Sequence, residues 1–141
     1  VTSGTGPVPS VALAIDAEVA FGNQLATKPE MKDYAETVNA IGTTGGGTQD
    51  IDITLGNVVT ATVDTSANTF TFSNPSATGK SCSFTLILTN GGSQTVNWPA
   101  AVDFAGGTAP ALTAAGVDVL AFMTVDAGTR WYGFAGGLAM S

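Results

Sequence analysis

The chain has 141 residues, of which 44% are hydrophobic and 11% charged, and its four basic and eleven acidic side chains leave a formal charge of −7. That length suits a single domain, and a charge content this low excludes a solvated polar helix or a disordered acidic tail. The acidic balance also works against nucleic acid and against an anionic bilayer, because neither attracts a surface of its own sign.

Residues 1–27 read as an N-terminal arm. Its first ten residues are rich in Gly, Pro, Ser and Thr, the composition of an extended segment. Over residues 11–21, Val11, Leu13, Ile15, Val19 and Phe21 alternate with Asp16 and Glu18, which predicts a strand. The same stretch has no basic leading region and carries two acids, so it is not read as a signal peptide. No apolar run reaches the ~20 residues that a membrane-spanning helix needs.

Residues 28–48 read as a short helix followed by a Gly-rich hinge. Thr27 and Glu30 match a capping box, Pro29 fits a first helical turn, and Gly42 is placed to end the helix. Met31, Tyr34, Val38 and Ile41 then fall on one face at helical spacing, a candidate interface stripe. The hinge is the sequence TTGGGT at residues 43–48.

Residues 49–141 read as a β-domain. Ile51, Ile53 and Leu55 alternate with polar residues, as do Val59, Ala61 and Val63, then Phe70 and Phe72, then Cys82, Phe84, Leu86 and Leu88. Residues 117–125 form a more continuous apolar strand, and residues 131–134 close the set. The breaks carry turn residues, among them Gly56-Asn57, Asn74-Pro75, Gly106-Gly107 and Ala127-Gly128. Asn90-Gly91-Gly92 reads as the turn of a hairpin. The expected fold is all-β, an antiparallel sandwich or barrel-like domain with one short N-terminal α-helix and an extended N-terminal arm.

The chemical inventory is sparse. The chain has no histidine and one cysteine, so Ser-His-Asp and Cys-His catalysis and an internal disulfide are all excluded. Gly79-Lys80-Ser81 lacks the upstream glycine of a phosphate-binding loop and precedes a strand pattern, so it reads as a turn. Cys82 lies within a strand pattern and reads as an inert buried thiol. Asp50 and Asp52 share one face of a strand, and Asp64, Asp103, Asp118 and Asp126 flank strand ends, where they read as solvated. No calcium-loop spacing or convergent acid pair is visible. The expectation is no catalytic residue, no metal site and no cofactor. Trp98, Trp131 and Tyr132 stand beside turns, where such rings either plug the core or make glycan or subunit contacts.

The stretch Met31-Lys32-Asp33-Tyr34-Ala35-Glu36-Thr37-Val38-Asn39-Ala40-Ile41-Gly42 resembles a segment of virion proteins of tailed bacteriophages. There a short helix with a KDYAE core leads through a Gly-rich hinge into a Thr-rich β-domain. The likeness continues through Asn57–Val63, Phe70-Thr71-Phe72-Ser73-Asn74-Pro75, Ser83–Thr89, Thr95–Pro99 and Trp131-Tyr132-Gly133-Phe134, covering roughly residues 28–138. The resemblance implies a trimerising β-domain with no catalytic residue. The function it implies is a bacteriophage structural protein, a capsid decoration or cement protein made in the host cytoplasm and displayed on the virion. Its partners would be further copies in a homotrimer, and the major capsid protein or other virion proteins. The alternative is a tail-fibre or head-fibre component that binds host-surface carbohydrate. No nucleic acid or membrane partner is expected.

Overall fold

The structure, a computed structural model, describes residues 27–141. The strand expected over residues 11–21 and nearly all of the N-terminal arm lie outside the described residues. Contacts divide the chain at Tyr34, and Ala35–Ser141 forms a compact unit of its own.

That unit holds nine strands: β1 (Val38–Thr43), β2 (Gly47–Asp52), β3 (Val58–Thr62), β4 (Asn68–Ser73), β5 (Cys82–Thr89), β6 (Val96–Asn97), β7 (Val102–Phe104), β8 (Val117–Thr124) and β9 (Trp131–Met140). Sheet A has six strands in the order β1-β3-β5-β8-β9-β7, and sheet B has three in the order β2-β4-β6. The all-β expectation holds, and every strand expected after residue 49 has a counterpart.

The antiparallel arrangement does not hold. β1, β3 and β5 run parallel in sheet A, and β2, β4 and β6 run parallel in sheet B. The chain steps from one sheet to the other and back, so each coil lays its strand down in the same direction as the last. A parallel pair needs a long crossover, usually a helix; here a strand of the opposite sheet fills that role. Only β5–β8 and β8–β9 are antiparallel. For the same reason Asn90-Gly91-Gly92 does not close a hairpin. Asn90 takes the left-handed conformation expected of such a turn, but the chain then crosses to sheet B, and β5 pairs with β8 instead.

The helix expected over residues 28–41 does not form. Residues 27–37 carry no regular secondary structure, with Lys28 and Asp33 at positive φ, and Val38–Thr43 is a strand paired with β3. The capping signals at Thr27, Pro29 and Glu30 are local, and a lone helix of this length is marginal. The ladder to β3 and the burial of Ile41 against the core outweigh them.

The stretch read as a hinge is a tied corner. Gly45 N donates to Asp64 Oδ1 at 2.9 Å, Ser66 Oγ donates to Gly45 O at 3.1 Å, and Gln49 Nε2 donates to Thr44 O and Gly46 O at 3.2 and 3.0 Å.

The two sheets share one core. Sheet A contributes Val59, Ala61, Phe84, Leu86, Leu88, Leu120, Phe122 and Trp131, and sheet B contributes Ile51 and Phe70. Aromatic rings fill its centre. Phe84 stacks on Phe122 with centroids 5.1 Å apart, and Phe72 sets its edge to Phe84 and Trp131 at 4.9 and 5.3 Å. Such pairs each contribute about 0.5–1.5 kcal/mol beyond the area they bury. Two glycines are demanded by the packing. At Gly56, with φ +152°, a side chain would collide with the Thr37 carbonyl. At Gly133 a Cβ would come within 2.6 Å of the Phe104 ring.

Candidate functional site

The residues expected to carry function part company in the structure. Met31 and Tyr34 are exposed in the irregular segment. Val38 and Ile41, three apart and so adjacent on a helix, sit in a strand instead. Val38 is 54% exposed on the outer side of sheet A, while Ile41 packs against the core. No single face therefore gathers the four.

Trp131 is buried, and Trp98 is half-buried, stacked on Phe70 at 5.5 Å and tilted against Phe122 at 5.3 Å. Both rings belong to the core. Tyr132 follows Trp131 in β9 and so points the opposite way, 41% exposed. Together with Phe134, Asp103 and the Ala105–Gly107 turn it lines a shallow depression of about 370 Å³.

The acids serve the fold. Asp50 lies on the outer face of sheet B, where it accepts hydrogen bonds from Thr71 Oγ1 at 2.7 Å and Ser73 Oγ at 2.6 Å. Asp52 accepts from Thr54 Oγ1 at 2.6 Å and Thr54 N at 2.9 Å; the Thr54 hydroxyl, then Asn74, holds its carboxyl below the ordinary range. Asp126 closes the β8–β9 connection, and the Arg130 backbone N–H, followed by the Thr124 hydroxyl, lowers its pKa.

Asp118 corrects the expectation of a solvated acid. It is fully buried, pointing inward from β8. Burial pushes its carboxyl up, but three donors outweigh that and hold it below the ordinary range. These are Thr113 Oγ1 and Thr113 N, both at 2.6 Å, and Ala139 N at 3.1 Å. The carboxylate thus ties the loop before β8 to the end of β9. Among the described residues no three His, Cys, Asp or Glu side chains come together to hold a metal ion.

Gly79-Lys80 is an exposed turn, separated from β5 by Ser81 alone. Cys82 is half-buried at the edge of the core, and its Sγ accepts a hydrogen bond from Ser76 N at 3.3 Å.

Sequence reasoning missed one surface feature among the described residues, the outer face of sheet A. The register sets its outward side chains in rows across the strands. One row runs Val38–Val58–Thr85–Ala121–Phe134. The next runs Ala40–Thr60–Ile87–Val119–Gly137, and beyond it lies Thr43–Thr62–Thr89–Val117–Met140. On the other side, Ser83, Met123 and Tyr132 lead to Asp103 on β7. Every outward position on β1, β3, β5, β8 and β9 in these rows is uncharged. The first charge comes at the β7 edge, where Asp103 meets Arg130 Nη1 at 3.4 Å, both exposed. The available signal was the outward parity of β8, where Val117, Val119, Ala121 and Met123 are all apolar, beside Leu120 and Phe122 on its inward side. A strand with apolar residues on both faces is suited to being covered on both.

Among the described residues no helix is long and apolar enough to cross a membrane. Comparison of the chain with protein-family models, with curated proteins and with solved structures finds no match.

Proposed function

We propose that this chain is a structural subunit of a bacteriophage particle, one that acts by assembly and not by turnover. The observation that carries the reading is the uncharged outer face of sheet A, set beside carboxylates whose oxygens are taken up by the chain's own hydroxyl and amide donors. A subunit surface needs the first, and an acid–base catalyst would need carboxylates facing a cleft. The likeness of the β-domain segments Phe70–Pro75 and Trp131–Phe134 to tailed-phage virion proteins supports the same reading. Within it, the role is that of an oligomeric capsid decoration or cement protein bound to the major capsid protein. Binding the assembled shell in preference to free subunits stabilises it by mass action.

The test is to add the purified chain to phage heads assembled without it. It should co-sediment with them and raise the temperature at which they release their DNA. Absence of binding would overturn the capsid role. New reducing ends from bacterial polysaccharide or peptidoglycan, lost on Asp50→Asn or Asp52→Asn, would overturn the non-enzymatic reading.

A second reading, a tail- or head-fibre component that binds host-surface carbohydrate, draws on the depression beside Tyr132 and Phe134. Exposed rings there could stack on a sugar. The packing of Trp98 and Trp131 into the core weighs against it, since only one of the three expected rings stands exposed.

A further inference from the structure

We infer that the outer face of sheet A is the self-association surface of this chain, and that its occupant is the same face of another copy. The inference rests on the assembly reading above and names the partner of that face.

Charge supports this first. The chain carries −7, and two copies meeting through an acidic surface would repel. Within Ala35–Ser141 the charges lie elsewhere: at Glu36 before β1, on sheet B (Asp50 and Asp52), in turns, at the β7 edge, or buried inward at Asp118. The outer rows of sheet A are where copies can approach without like charges opposed. An acidic or basic partner would find nothing there to pair with, whereas an uncharged surface is complementary to itself. A face that meets itself makes a two-fold, isologous contact, which joins copies in pairs and not in the threes that the resemblance implies.

Area supports it second. Five strands at about 4.8 Å and eight residues at about 3.3 Å outline a patch roughly 19 by 23 Å. Two such faces stacked about 10 Å apart would remove on the order of 1,000 Å² of accessible surface once side-chain relief is included, which reaches the threshold for a specific interface. Large apolar side chains sit exposed in these rows: Phe134 at 53%, Met140 at 51% and Tyr132 at 41%. The Asp103–Arg130 pair forms a polar rim at one side.

The experiment is sedimentation velocity on the full chain at micromolar concentration. The wild-type chain should sediment as a multi-chain species. Val119→Lys, at the centre of the face, should sediment as a single chain with an unchanged β-sheet circular dichroism spectrum. Thr48→Lys, the same charge on the outer face of sheet B, should leave the assembly intact. A folded Val119→Lys chain that stays assembled overturns the assignment of this face and leaves the assembly reading standing. A wild-type chain that sediments alone overturns both. Should Val119→Lys fail to fold, thiol labelling decides in a Cys82→Ser background. Val119→Cys should react at least tenfold more slowly than Thr48→Cys in the assembled chain, and equal rates would overturn the assignment.

Discussion

The outer faces of the two sheets are built from the same kind of strand and end in opposite chemistry. Sheet B presents Thr48, Asp50 and Asp52 opposite Thr69, Thr71 and Ser73, with hydroxyls bonded across strands to Asp50 and Asn97 Nδ2 reaching Thr69 Oγ1. Sheet A presents Val58, Thr85, Ala121 and Phe134 in one register line and Thr60, Ile87 and Val119 in the next. The inward residues of both sheets are alike, Ile51 and Phe70 from one and Leu86 and Leu120 from the other. The core therefore cannot account for the difference. Sheet B presents charge and bonded hydroxyls on its outer face; sheet A presents an uncharged outer face, the feature on which the proposed self-association rests.

The contrast can be sharpened first along a single strand. Leu120 and Val119 are neighbours in β8, one fully buried and one facing out. Leu120→Ala should cost about 2–5 kcal/mol of stability, the usual range for emptying a packed leucine site. Val119→Ala should cost under about 1 kcal/mol in the isolated chain and act instead on assembly. Urea titrations of both variants at a concentration where the chain is dissociated would measure this. Equal losses would mean that the outer face is already packed within one chain.

A smaller effect is expected at Asp118, the acid of sheet A that does not face out. Asp118→Ala leaves the Thr113 and Ala139 N–H groups without their acceptor, which should cost about 2–3 kcal/mol. The damage should appear as faster hydrogen exchange at the loop before β8 and the end of β9, with sheet B unaffected.

How much of this was legible in the sequence depended on the range of the interaction. Period-two alternation marked β3, β4 and β5 because one face of each is buried, and alternation records burial directly. Strand direction was not legible, because parallel pairing follows from where the chain returns and leaves no local mark. Val38 and Ile41 show the same limit. Three residues apart, they suit a helix face and also opposite faces of a strand, and the parallel ladder to β3 decided between them. The aromatic site residues were ambiguous for a related reason. Adjacent Trp131 and Tyr132 had to point opposite ways, and only the fold fixed which ring went inside. Asp118 was read as solvated because one of its donors, Ala139, lies 21 residues away, and nothing in the sequence marks the turn that brings Thr113, five residues before it, onto the carboxylate.

Acid should separate the groups by how firmly each is held. Asp52, Asp118 and Asp126 all have carboxyls lowered in the folded chain. An unfolded aspartate titrates near pH 3.9. Between that value and the lower folded ones, the unfolded chain binds more protons, so acidification favours unfolding. The stability these groups contribute is fully present above about pH 5 and is lost as pH falls through the folded values. Melting temperatures followed from pH 6 to pH 2 should fall, and Asp118→Asn should flatten the curve by removing one titrating group. An unchanged slope would mean that Asp118 does not remain ionised inside the folded chain.

The smallest expected effect lies on sheet B, and it is the one that isolates the comparison. Asp50 is exposed, and its two partners, the Thr71 and Ser73 hydroxyls, can turn to water if it is removed. Exposed polar pairs of this kind contribute little, so Asp50→Ala should change stability by no more than about 1 kcal/mol. It should leave the sedimentation of the assembled chain as it was, although it removes one negative charge from every copy. That second outcome is the informative one. If copies met through sheet B, clearing a carboxylate from the contact would strengthen assembly, and the dissociation constant would fall with the substitution. If they meet through sheet A, the charge lies away from the contact, and screening over about 8–10 Å at ordinary ionic strength removes most of its influence. Asp50→Ala and Val119→Ala, compared in the same sedimentation series, therefore ask the same question from opposite sides of the sandwich. A tighter assembly in the first and no change in the second would reverse the assignment of the two faces.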